Sequence, residues 1–289
     1  MFLHWSWFLV ALYQITSRGS EYSSPVWNVL EYLALFAIVL LHEFGHALAC
    51  RQVGGQASLI VLWPLGGVAY VSPPSRPGAT LWSIAAGPLV NVVLVLVFSG
   101  LVAVATQQGS GGWWPDIALF LRTLWVINLA ILVFNLLPVY PLDGGQILRS
   151  LLWFGIGRAR SLMVAGVTGL VGVTGLMAVA FWSQSWWIGI MGIFLLLNCW
   201  RGIRQARDLA KLERLPRHEG FACPACRVAP PVAPLWLCGN CRITFDTFET
   251  GGACPQCGDR FPTTVCSDCG VRSPWAEWVL ASPVPPRLP

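Results

Sequence analysis

The chain has 289 residues, 55% of them hydrophobic and only 11% charged, with a mean hydropathy of +0.63. A water-soluble domain carries about a quarter charged residues, so this composition excludes an ordinary soluble protein and points to the membrane. The formal net charge of +5 is uneven: most basic residues follow Gly155, and the long apolar stretches before it are nearly free of charge.

A membrane-spanning helix needs about 20 mostly apolar residues. The first apolar run, 2–15, is shorter than that, but Trp5 and Trp7 supply interfacial anchors, so it reads as a thin or tilted span. It does not read as a secretory signal, because Met1-Phe2-Leu3-His4 lacks a basic segment and no small-residue cleavage site follows. Residues 26–49, 80–105, 117–137 and 161–182 are full-length candidates. A second short run, 185–200, carries Trp186 and Trp187; either short run could instead be re-entrant. Glu31 and Arg122 fall inside the second and fourth spans, near one surface, where they either pair or snorkel separately.

The second span ends in His42-Glu43-Phe44-Gly45-His46. Residues four apart share a helix face, so both imidazoles can grip one metal ion, and Glu43 can reach a metal-activated water as general base. Such an ionisable run is costly at membrane depth without a task. A catalytic zinc needs a third protein ligand and an open position. Asp143 is the candidate, just past the inner end of the fourth span, in 135–145, NLLPVYPLDGG. Pro138 and Pro141 are expected to end the helix, and Gly144 and Gly145 to turn the aspartate back towards the bundle. Its bland reading is an Asp-Gly turn or helix cap.

Between the second and third spans, 58–70 is apolar, partly β-branched and broken by Pro64 and Gly66-Gly67. It reads as a re-entrant β-hairpin, and its edge as a docking strand for an extended substrate. Gly87, Pro88 and Asn91 either shape water access to the metal or serve helix packing, and Gly166, Gly169, Gly172 and Gly175 read as a packing face.

After the last span, 201–215 reads as a basic amphipathic helix at the lipid surface. Four C-x-x-C pairs follow: Cys223 with Cys226, Cys238 with Cys241, Cys254 with Cys257, and Cys266 with Cys269. That spacing signals two four-thiolate structural zinc sites in a reducing compartment. The expected pairing is sequential, the first four cysteines on one ion and the last four on another, with an interleaved arrangement left open.

Six spans with a cytoplasmic N-terminus put Arg51, Arg76, Arg149, Arg158 and Arg160 in inner loops. They also put the basic tail inside, leaving only Arg18 outside, as the positive-inside rule requires.

HEFGH, the PLGG of 64–67, the AGPLVN of 86–91 and NLLPVYPLDGG together resemble the site-2 protease family, over most of the chain up to Ser150. The resemblance implies an intramembrane zinc metalloendopeptidase acting on membrane-spanning or membrane-tethered proteins. It further implies that His42, His46 and Asp143 bind zinc, that Glu43 is the acid/base, and that Asn135 holds the substrate backbone or oxyanion. The tail departs from better-known members and is similar to a double zinc ribbon.

The expected fold is an all-α polytopic membrane protein with about six helices and a short re-entrant β-hairpin, plus a zinc-ribbon domain. Its expected parts are a protease domain (1–200), a juxtamembrane linker (201–220), the ribbons (221–270) and a loose Pro-rich tail (271–289), whose Trp275 and Trp278 could pack on the ribbons. The expected cofactors are one catalytic and two structural Zn2+. Expected partners are membrane-protein substrates, the bilayer and a cytosolic protein for the ribbons; nucleic acid is not expected. The expected location is the cell membrane, with both termini cytoplasmic. Two rival readings are a catalytically silent membrane adaptor and another H-E-x-x-H class with glutamate as third ligand.

Overall fold

The computed structural model describes residues 2–3, 22–63, 66–107 and 114–279. The chain divides into two compact units, Met1–Ala206 and Arg207–Pro289. Among the described residues, five helices are long and apolar enough to cross a membrane. These are α1 (Pro25–Gln52), α2 (Pro77–Thr106), α3 (Trp114–Asn135), α5 (Arg158–Trp182) and α6 (Trp186–Glu213). The protein is thus a helical membrane protein. The expected first span, 2–15, lies outside the described residues except for Phe2–Leu3, which form a strand, β1.

Local chemistry sets the helix ends. Ser24 caps α1 by accepting from the Val26 N–H, and Pro25 occupies the first helical position, where its missing N–H costs nothing. After α1, β2 (Gln56–Trp63) pairs antiparallel with β3 (Gly66–Ser72), and β1 runs parallel to β2 on its other side. The hairpin expected at 58–70 is therefore present, with Pro64 and Leu65 outside the described residues. β3 is an edge strand among the described strands.

In α2, Ser83, Ile84, Ala86, Gly87, Pro88 and Asn91 are buried, while Val93 and Leu96 are exposed, one side for protein and the other for lipid. In α3 the buried residues Leu124, Asn128 and Leu132 recur every four positions, a single stripe facing the bundle. A short helix not anticipated from the sequence, α4 (Asp143–Ile156), follows; its 14 residues are too few to span. α5 and α6 pack antiparallel: a Cβ on Gly166 would meet Ile203 and one on Gly169 would meet Cys199. Gly172 faces Val139 in the same way, but Gly175 faces open space, so three of the four expected packing glycines serve. The Val139–Tyr140 segment is pinned in this seam, where the Cys199 thiol donates to the Tyr140 carbonyl at 2.8 Å.

Three expectations need correction. The short run 185–200 and the amphipathic segment 201–215 are one continuous helix, α6, because no breaker separates them. Glu31 is buried and accepts from the Tyr22 hydroxyl at 2.7 Å, whereas Arg122 is exposed, and no Glu31–Arg122 ion pair occurs among the described residues. Gly144 and Gly145 do not turn the chain; they lie in the first turn of α4. Their role is close approach, since a Cβ on Gly145 would sit 2.6 Å from the Tyr140 backbone nitrogen, and one on Gly144 would strike the Leu136 carbonyl.

The second unit holds two small hairpins, β4 (Trp236–Leu237) with β5 (Thr244–Phe245) and β6 (Thr263–Val265) with β7 (Arg272–Pro274). Its aromatic core joins Phe221, Trp236, Phe248 and Trp278 around Cys223 and Cys266. Residues expected in a loose tail are instead ordered into β7 and the 3-10 turn Trp275–Trp278, and Trp278 is fully buried. Trp275 lies tilted against Phe221, with ring centroids 5.8 Å apart.

Candidate metal centre

α1 places His42 and His46 on one face, both buried, with their rings edge to face. The start of α4 brings Asp143 to them: its Oδ2 lies 3.1 Å from His42 Nε2 and 3.4 Å from His46 Nε2. The two Nε2 atoms are 3.1 Å apart. Asp143 does not cap its helix; Leu142 is the cap residue, and no side-chain cap bond forms.

What faces these atoms from behind decides their protonation. The Asn128 side-chain N–H2 donates to the Asn91 backbone carbonyl at 2.9 Å, and a carbonyl can only accept. The Asn128 Oδ1 must then accept from the Asn91 Nδ2, at 2.7 Å, which turns the Asn91 Oδ1 towards His42. That oxygen is 2.5 Å from His42 Nδ1, so Nδ1 carries the hydrogen. His46 Nδ1 likewise faces the Ser83 carbonyl at 2.9 Å. In neutral imidazoles both Nε2 atoms are therefore bare lone pairs. Among the described residues, the buried Asp143 Oδ2 accordingly has no hydrogen-bond donor despite two nitrogens within 3.4 Å. Three acceptors crowded together in a buried place fit a cation, and together they form a group able to hold a metal ion.

Gly87 makes room for this cluster: a Cβ there would fall onto the His46 ring and lie 2.9 Å from His42 Nε2. Of the two readings of this part of α2, Asn91 thus serves the histidine directly and Gly87 gives it space. Glu43 is buried beside His42 in sequence. Asn135, the last residue of α3, is half-buried, and its amide has no protein hydrogen bond among the described residues. Asn128 and Ser83 went unnoticed in the sequence. An asparagine in an apolar helix was the only available signal, and nothing local ties it to a residue two helices away.

The eight ribbon cysteines also converge, but not sequentially. Cys223, Cys226, Cys266 and Cys269 form one cluster and Cys238, Cys241, Cys254 and Cys257 the other, so the pairing is nested. Sulfur separations include 3.7 Å for Cys223–Cys269 and 3.5 Å for Cys241–Cys254. The outer knuckles are drawn together by the Phe221–Val279 bridge, the Trp278 core and the two-bond Arg217–Asp268 pair. The Cys238 thiol is drawn down to about 7, first by the Cys241 backbone N–H and then by that of Asn240, with burial opposing. Burial pushes the Cys266 thiol up. Four thiolates this close tolerate one another only around a cation, and a tetrahedral zinc suits each set.

Residues 31–111 and 99–179, together just over half of the chain, match peptidase family M50. The Synechocystis sp. protein sll0528 is 32% identical over 228 residues, covering 72% of this chain and 58% of its own length. Zinc metalloprotease MJ0392 of Methanocaldococcus jannaschii is 34% identical over 166 residues, covering 56% of this chain and 45% of its own. The chain spans about half the length of the curated relatives it matches. A solved site-2 protease from Methanocaldococcus jannaschii covers 70% of this chain and 89% of its own, at 26% identity with a TM-score of 0.49. The family match begins within α1, ahead of HEFGH, and runs past Asp143, and the chain belongs to peptidase family M50, the site-2 protease family.

Proposed function

We propose that this chain is an intramembrane zinc metalloendopeptidase that hydrolyses peptide bonds of membrane-spanning or membrane-tethered proteins. The observation that carries the reading is the convergence of His42 Nε2, His46 Nε2 and Asp143 Oδ2, each within 3.4 Å of the other two. Zinc held there supplies Lewis acidity, activating water and polarising the scissile carbonyl. The Glu43 carboxylate takes the proton of the attacking water and returns it to the leaving amine. The Asn135 amide, which has no hydrogen-bond partner among the described residues, donates to the carbonyl oxygen as negative charge develops on it.

His46 and His42 lie six and ten residues before the end of α1, so the centre sits roughly 9–15 Å along the helix from that end. A substrate must present extended backbone there, and the edge of β3 is the strand available to pair with it. The favoured orientation places the ends of α1 and α4 and the starts of α2 and α5 at the cytoplasmic face. Two contacts support a common end: the Trp82 indole donates to Gln52, and Gly78 approaches Phe154. Arg51, Arg76, Arg149, Arg158 and Arg160 gather there, as the charge rule asks. In this orientation the ribbons, each cluster on its own Zn2+, face the cytosol of a cell membrane.

The test is cleavage of a tethered substrate by the full chain reconstituted in liposomes. Glu43→Ala is expected to abolish cleavage while zinc stays bound; cleavage that survives it would refute the mechanism.

A further inference from the structure

Arg149 and Trp153 stand four residues apart on α4 and so share a face. Gly157, at φ +84°, then turns the chain into α5, whose first residue is Arg158. The corner holds one indole between two guanidinium groups: the Cζ of Arg149 is 5.9 Å from the Trp153 ring centroid and that of Arg158 is 5.7 Å. Both distances fall within cation–π range, which explains how two like charges come to flank one ring.

Among the described residues, Arg149 has no anion to answer it. It is half-buried, its Nε is buried without a hydrogen-bond partner, and no carboxylate pairs with it among the described residues. Burial lowers its guanidinium from the ordinary value, with Tyr140 opposing and the charge of Arg158 adding to the effect. A guanidinium keeps its proton in proteins, so a poorly solvated cation beside another cation calls for an anion. The surroundings indicate which kind. Phe154, next to Trp153 in sequence, and Leu151 are 62% and 52% exposed on the same helix as Arg149, so α4 offers both acyl-chain surface and guanidinium surface in a membrane protein.

We propose that Arg149, Trp153 and Arg158 form a binding site for the phosphate of an anionic phospholipid headgroup, with Leu151 and Phe154 beside its acyl chains. The planar fork of Arg149 suits two phosphate oxygens at once, and Trp153 holds both guanidinium groups in place. Arg149 lies six residues beyond Asp143, roughly 9 Å along α4. The bound headgroup therefore anchors the helix that carries the aspartate of the metal centre.

The experiment is native mass spectrometry of the full chain released from an equimolar mixture of phosphatidylglycerol and phosphatidylcholine. The native chain is expected to retain phosphatidylglycerol preferentially. Arg149→Gln should cut that retention about fivefold, the effect of one arginine near an anionic surface. Arg149→Lys should keep part of it. Arg260→Gln, exposed in the second unit and outside every candidate span, should leave it unchanged, with circular dichroism and zinc content reporting intact folding. If Arg149→Gln does not fold, Arg158→Gln is read in its place. Three results overturn the proposal: undiminished retention in the glutamine variant, an equal loss in Arg260→Gln, or displacement of the lipid by equimolar inorganic phosphate.

Discussion

Asn128, on α3, sets the protonation of His42, on α1, without touching it. Its amide is anchored on the Asn91 backbone carbonyl at 2.9 Å, which orients the Asn91 amide and leaves only an acceptor, 2.5 Å away, facing His42 Nδ1. Three helices thus cooperate to present a bare Nε2 to the metal position.

Removing the direct partner should therefore cost more than removing its support. Asn91→Leu is expected to weaken zinc binding at this centre by about 10–100-fold, the usual effect of losing a ligand's hydrogen-bond partner. Asn128→Leu should cost less, because the Asn91 amide can still adopt the right orientation part of the time. Competition titration against a zinc chelator measures both; equal affinities across the three proteins would remove the relay from the account.

Gly87 should tolerate no side chain. Gly87→Ala places a methyl on the His46 ring, so zinc at this centre and proteolysis should both be lost. Gly100→Ala, in the same helix with nothing within 4 Å, should leave both unchanged and gain up to about 1 kcal/mol of helix propensity. Zinc content and cleavage of the tethered substrate read the contrast.

Asp143→Ala should remove one zinc per chain and leave the ribbon metals bound. Total zinc by elemental analysis, before and after mild chelation, distinguishes the centres. A variant that keeps the full complement would show that another group serves as third ligand.

The nested cysteine pairing has its own signature. Replacing Cys223, Cys226, Cys266 and Cys269 together with serine should release one zinc and leave the other cluster loaded, because all four belong to one cluster. Sequential pairing would instead disable both sites. Zinc stoichiometry on the full chain decides between one ion lost and two.

Substrates should be cut faster where their helix is easily opened. Gly or Pro near the scissile bond is expected to raise the rate, and a run of strong helix formers to lower it, since a helical backbone hides its carbonyl in hydrogen bonds. Rates indifferent to helix propensity would count against docking on β3.

Local spacing was legible in the residues alone. The four full-length apolar runs marked their helices to within three residues at each end. A histidine pair four apart announced a shared helix face, and each C-x-x-C announced one knuckle, because such features depend only on the geometry of a single turn. Asp143 could be singled out because its surrounding prolines and glycines were incompatible with a continued span.

The sequence by itself determined the membrane character, the chemistry of the candidate ligands and the small units that carry them. Tertiary structure alone decided which distant units meet: cysteine knuckles nested rather than sequential, Asn128 behind Asn91 behind His42, and a separate helix delivering Asp143. The physical reason is that loop-closure entropy changes by only about 0.6 kcal/mol per doubling of length, so competing long-range closures are nearly equal along the chain. Packing breaks the tie: Trp278 and Phe248 hold the outer knuckles together, and Gly144 and Gly145 let α4 settle against the Leu136–Tyr140 backbone.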